Sequence, residues 1–255
     1  MMKLTRYVLY DIMRNKIVLL YAVFLLVITM GLFQLEENPS KAILSLLTIV
    51  LTVLPLISLI FTTIHYYNSY EFIELMLAQP LSRARVLFSE FGGLCLSLLG
   101  AFWVGVGIPV LIYSPDNTGF SLLMTGSLLT VIFISMALFT SVRSRDKARG
   151  IGLALLLWFY FTLIYDGLLL LLLFALSDYP MEKATLLLSA LNPVDLARIF
   201  IMLKMDVSVL MGYTGAVYKA FFGSTYGALF TLLVLLVWAL IPLWLSKRRF
   251  IKKDM

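Results

Sequence analysis

Asp166 sits in the run WFYFTLIYDGLLLLLLF, eight residues after Trp158, with no other charged residue beside it. An ionised carboxylate at the centre of a membrane costs about 2.5–3.5 kcal/mol, so such a residue either serves a substrate or proton path or is neutralised. Four methionines, Met181, Met202, Met205 and Met211, fall in one later segment. Thioethers suit Cu(I), and Met202 and Met205 at i, i+3 are the candidate ligand pair. No His or Cys joins them, and Met equally fills gaps in packed cores. One Cys, Cys95, and one His, His65, exclude an internal disulfide and a Cys/His zinc cluster. The chain has no G-x-x-x-x-G-K-[ST] phosphate loop and no H-E-x-x-H motif, and no G-x-S-x-G serine lies near its single His. No catalytic group is assigned, and no cofactor is expected to bind directly.

The elements that must position these residues follow from composition. Of 255 residues, 62% are hydrophobic and only 13% charged, about half the charge that solvates a globular surface. The chain is expected to be an all-α polytopic membrane protein without the alternation of a β-barrel. Stretches of about 20 apolar residues suffice to cross the bilayer. They give six spans: Ile17–Phe33, Ile43–Ile64, Val86–Tyr113, Phe120–Val142, Ile151–Leu176 and Tyr226–Leu245. The third and fifth are long enough to tilt or bend, and Pro55, Pro109 and Pro242 predict kinks. The whole of 1–255 reads as one transmembrane domain.

Fifteen of the 20 basic residues flank one side: Lys3, Arg6, Arg14, Lys16, Arg83, Arg85, Arg143, Arg145, Lys147, Arg149 and five from Lys247 to Lys253. By the positive-inside rule both termini are cytoplasmic, and the net charge of +6 reports topology and affinity for the lipid bilayer, with no nucleic acid implied. Because all the basic residues fall in the flanks, Asp166 has no cationic partner at its depth in this reading. A neutral carboxyl hydrogen-bonded between helices is expected there.

Three segments outside the spans carry further signals. Residues 1–16 place Leu4, Val8 and Ile12 on one stripe, an amphipathic helix along the cytoplasmic interface. Residues 66–85 hold an acidic, apolar stretch stopped by Pro80, after which Ser82 is placed to cap the third span. A short cytoplasmic helix bracketed by two spans suits docking to a partner and passing motion to the membrane, although spacing alone equally allows a plain hairpin cap. In the external segment 177–225, Asn192-Pro193-Val194-Asp195 is a helix start, with Asn as N-cap, Pro in the first turn and Asp at the dipole. Leu196, Ile199, Phe200 and Leu203 then form an apolar face to about Met205, and Asp195 and Arg198 are spaced to interact. Val207–Gly223 adds Tyr213, Tyr218, Phe221 and Phe222. The segment is read as a surface for an external partner or as a lid on the protein's own span ends.

Glu74, Leu77 and Pro80-Leu81-Ser82-Arg83, leading directly into a span, resemble the coupling-helix signature of ABC-2 type exporter permeases. Glu71-Phe72 stands where that family commonly has Gly-Thr, and Glu90 where it often has Lys. The resemblance implies six transmembrane helices of the type V exporter-like architecture, with Tyr70, Glu71, Glu74, Leu77, Pro80, Ser82 and Arg83 contacting a separate ATPase. Leu191-Asn192-Pro193-x-Asp195-x-x-Arg198, with Trp158 and Asp166, resembles the permeases of nitrous oxide reductase maturation, the NosY type. That resemblance implies a homodimer in a bacterial inner membrane, two copies of a cytoplasmic ATPase holding ATP and Mg, and a periplasmic β-helical protein that handles copper. Asn192, Pro193, Asp195 and Arg198 become the expected external partner contacts. A general lipid or drug exporter and a non-transporting scaffold for metal-site assembly share most of these features.

Overall fold

The computed structural model describes residues 2–13, 15–36, 38–144, 146–176, 187–205 and 225–252, and among these every regular element is a helix. Met181, Met211, Val207–Gly223 and most of the external segment lie outside the described residues. So do Arg14, Arg145 and Lys253.

Helix α1 is Met2–Met13. The first span is α2, Lys16–Leu35, and the second is α3, Pro39–Asn68. Helix α4, Tyr70–Leu77, connects to the third span, built from α5, Arg83–Phe102, a π-helical turn, Trp103–Gly107, and α6, Ile108–Tyr113. The fourth is α7, Asn117–Arg143. The fifth combines α8, Lys147–Phe159, a second π turn, Tyr160–Ile164, and α9, Tyr165–Ala175. Helix α10, Pro193–Lys204, precedes the sixth span, α11, Thr225–Lys252. All six expected spans are present and are long and apolar enough to cross a membrane. Several reach beyond their hydrophobic cores because Asn15, Asn38, Asp116 and Asp146 cap polar first turns with their side chains.

The third and fifth spans, long enough to tilt or bend, are the two that contain π turns among the described residues. A π turn absorbs an extra residue and breaks the i→i−4 ladder. In the third span it ends immediately before Ile108-Pro109, where proline lacks the N–H the ladder would need.

The fourth span is central: 72% of its apolar stretch is buried, against 17% for the fifth span. Lipid tails supply no hydrophobic force between helices, so close backbone approach and polar contacts must hold them. Glycine provides the approach. A Cβ on Gly105 would stand 2.5 Å from Leu25 Cβ of the first span, and one on Gly150 2.5 Å from a Tyr67 ring carbon of the second.

Of the apolar stripe of α1, Val8 and Ile12 are buried, and α1 packs on α5. Gly93 makes this possible, since a Cβ there would lie 2.5 Å from Val8 Cγ1. Ser82 occupies the N-cap position of the third span with extended backbone, but its side chain makes no capping bond.

Candidate functional site

At the end of the bundle where the basic residues gather, α4 begins one residue after the second span. Ser69 N–H donates to His65 O at 2.8 Å and Ile73 N–H to Ser69 O at 2.9 Å, so the short helix is tied to its predecessor through consecutive backbone bonds. Ile73 is buried and anchors it. Glu71, Glu74 and Leu75 are exposed, Leu75 by 66%, and give the helix a mixed acidic and apolar outer face. Tyr70 and Leu77 are half-buried at its two ends and Pro80 is exposed after it. Arg83 Nη1 donates to Ile251 O at 3.2 Å, joining the start of the third span to the end of the sixth.

Beneath α4 lies a contact that sequence reasoning missed. His65 Nε2 and Glu90 Oε2 are 3.2 Å apart and both side chains are buried. Ser69 Oγ stands 3.4 Å from the same imidazole nitrogen. The pair clamps the second span to the third at the root of α4, beside a polar pocket of about 210 Å³. A signal existed: an acid inside a predicted span, and the single His at the end of the span before it, face each other once a short connection folds the two into a hairpin.

Midway along the second span, Thr52 O accepts a hydrogen bond from Trp158 Nε1 at 3.0 Å. This crosses to the fifth span, otherwise the least buried of the six.

Two residues beyond Trp158 the π turn begins and rearranges the backbone. Tyr165 N–H reaches back five residues to Tyr160 O, so Phe161 O loses its usual donor. Asn192 Nδ2 supplies one at 2.9 Å, while Asn192 Oδ1 accepts from Val194 N–H at 2.9 Å. One fully buried side chain therefore caps α10 and satisfies the displaced carbonyl. Tyr165 Oη donates to Leu188 O at 2.5 Å and Trp238 Nε1 to Ala190 O at 3.1 Å.

Arg198 completes the junction. Its Nη1 donates to Asp166 Oδ2 at 2.5 Å and to Asp195 Oδ1 at 3.2 Å. Asp166 therefore has a cationic partner, which corrects the expectation of a lone neutral carboxyl. Counting Arg198 among the flanking charges leaves no cation at the depth of Asp166. Helix α10 instead folds back on the bundle, with Leu196, Ala197 and Ile201 fully buried, and packs on the second, fourth and sixth spans. Burial raises the Asp195 carboxyl to about 7, assisted by hydrogen bonding and repulsion from Asp166 and opposed by Arg198. Asp166 Oδ1 is buried without a hydrogen-bond partner among the described residues.

The expected external contacts need correcting for the same reason. Asn192, Pro193 and Asp195 face inward and dock α10 on its own spans. Arg198 is partly open, and Lys204 is the exposed residue at the end of the helix. Met202 and Met205 are half-buried against the apolar core. No group of three or more His, Cys, Asp or Glu suited to a metal occurs among the described residues.

The profile of the family described as "ABC-2 family transporter protein" matches residues 49–255. The chain is 32% identical over 148 residues to the "Probable ABC transporter permease protein NosY" of Pseudomonas aeruginosa, an alignment covering 54% of either chain. It is 28% identical over 211 residues to the protein of that name from Stutzerimonas stutzeri, covering 74% of this chain and 76% of the relative. It thus spans 54% of the length of the first relative and 76% of the second.

Proposed function

The chain belongs to the ABC-2 transporter family, and on that premise we propose that it is a permease subunit that couples a separate cytoplasmic ATPase to movement of α10 on the opposite side of the membrane. The observation that carries this reading is α4: a short helix rooted on Ile73 between two spans, with Glu71, Glu74 and Leu75 presented outward. A rigid lever of this kind passes force from a docked partner to the helices on both sides of it. Tyr70, Leu77, Pro80, Ser82 and Arg83 shape its ends, and both chain termini lie on the same cytoplasmic side.

Force entering at α4 has a connected route. The His65–Glu90 clamp makes the second and third spans answer together. The Thr52–Trp158 bond passes their displacement to the fifth span. Asn192 on Phe161 O and Arg198 on Asp166 then carry it to α10.

The two relatives named as NosY permeases support a setting in nitrous oxide reductase maturation. There the chain works in the bacterial inner membrane as a homodimer with two ATPase copies. The movement of α10 acts on a periplasmic β-helical protein that handles copper, with ATP and Mg held by the ATPase.

Co-expression of the full chain with its ATPase tests the reading. The wild type retains the ATPase through membrane purification and stimulates its hydrolysis. Leu75→Arg and Glu74→Lys, both exposed, reduce retention at least about tenfold, an ordinary loss when a central interface contact is replaced. Equal retention by wild type and both variants would overturn the docking role of α4.

A further inference from the structure

At the basic end of the fifth span a groove of about 600 Å³ is lined by Arg143, Ser144, Arg149, Gly152, Leu153 and Leu156. Its composition changes along its length. Arg143 ends the fourth span and Arg149 lies in the first turn of α8, so two exposed guanidinium groups stand over one mouth. Neither is in an ion pair among the described residues. Asp146, the one acid of this turn, caps α8 by accepting from Arg149 N–H. Lys147 is drawn aside, with Nζ donating to Asn68 Oδ1 at 2.8 Å. One helical turn deeper the groove becomes apolar: Leu153 and Leu156 are exposed along the face of the span, and nothing lies within 4 Å of where a Gly152 Cβ would be.

Paired guanidinium groups above an open hydrocarbon trough, at the membrane edge of a spanning helix, match a molecule with an anionic head and an acyl tail. We propose that this groove binds an anionic phospholipid of the basic-side leaflet. Arg143 and Arg149 hold the phosphodiester, Ser144 lies beside it, and one acyl chain runs over Gly152 between Leu153 and Leu156. Arginine suits the headgroup because its fork presents two parallel N–H donors to phosphate oxygens. Attraction of anionic lipid to basic residues near the surface adds to this. Gly152 differs here from Gly150, whose hydrogen faces the Tyr67 ring. Gly150 is filled by protein, whereas the space beside Gly152 is left for lipid.

Native mass spectrometry of the full chain, purified in neutral detergent and mixed with phosphatidylglycerol or phosphatidylcholine, tests the assignment. The wild type should retain phosphatidylglycerol in preference to phosphatidylcholine. The double variant Arg143→Gln/Arg149→Gln should lower that retention at least about tenfold. Gly152→Leu should lower it comparably without lowering the thermal midpoint, because a Cβ added there meets nothing within 4 Å. Millimolar inorganic phosphate should not displace the lipid, since it lacks the tail. Equal retention of the two lipids, retention unaffected by both variants, or displacement by phosphate alone would each overturn the proposal.

Discussion

One guanidinium nitrogen of Arg198 serves two carboxylates, Asp166 and Asp195, so removing it leaves two acids facing each other. Breaking a fully buried pair from one side costs about 3–5 kcal/mol. Arg198 and Asp166 keep 34% and 26% of their side-chain surface open, which lowers the expected cost of Arg198→Met to about 2 kcal/mol. Asp166→Asn should cost less, because Asp195 remains to pair with Arg198, and the double variant Asp166→Asn/Arg198→Met should be milder than the sum. Unfolding of the detergent-solubilised chain measures all three, and a wild-type midpoint in Arg198→Met would contradict the account. The same junction predicts a pH dependence. Burial raises Asp195 from its ordinary value to about 7, so between about pH 4 and 7 the folded chain binds more protons than the unfolded one. Stability then falls as pH rises through that window and levels off above it. Asp195→Asn should flatten the profile, and an unchanged slope in that variant would count against the carboxyl as its source.

At the scale of elements, the fifth span is held by few surfaces and several polar ties. Trp158 reaches the second span, while Phe161 O and Asp166 reach α10. The W/D spacing was visible in the sequence, but the partner of each residue was not, because both partners arrive from distant elements. Apolar length was enough to locate the spans, and the Asn192-Pro193 start and i, i+3, i+4 pattern were enough to locate α10. Neither gives the depth at which α10 packs, since an apolar face is covered equally well by lipid, by a partner or by its own bundle. Glycine packing offers a test at this scale. Gly105 abuts the first span, whereas an added Cβ on Gly100 would meet nothing within 4 Å. Gly105→Leu should therefore cost about 1–3 kcal/mol through overpacking. Gly100→Ala should be neutral or stabilising, given the helix propensity it gains of up to about 1 kcal/mol. Thermal inactivation in detergent distinguishes them, and equal behaviour of the two sites would argue against the close helix approach at Gly105.

For the whole molecule, the basic end carries α4 and the His65–Glu90 clamp, and the opposite end carries α10, with the second and fifth spans between. Contiguity alone does not establish transmission; an element must change position in response to the distant site. The link at Trp158 is the narrowest part of the route. Trp158→Phe keeps the ring and removes the N–H, so it should preserve ATPase binding at α4 while weakening the response of α10, with a coupling loss of about 0.5–2 kcal/mol. The direct measurement is the distance between spin labels at Lys204 on α10 and Gln34 on the first span, both exposed. It is taken in the full complex with its ATPase in lipid nanodiscs, first without nucleotide and then with ATP and vanadate. The account predicts a shift of several ångströms in the wild type on trapping, a reduced shift in Trp158→Phe, and none in Leu75→Arg. The same distance in both nucleotide states, while the bound ATPase turns over normally, would contradict it.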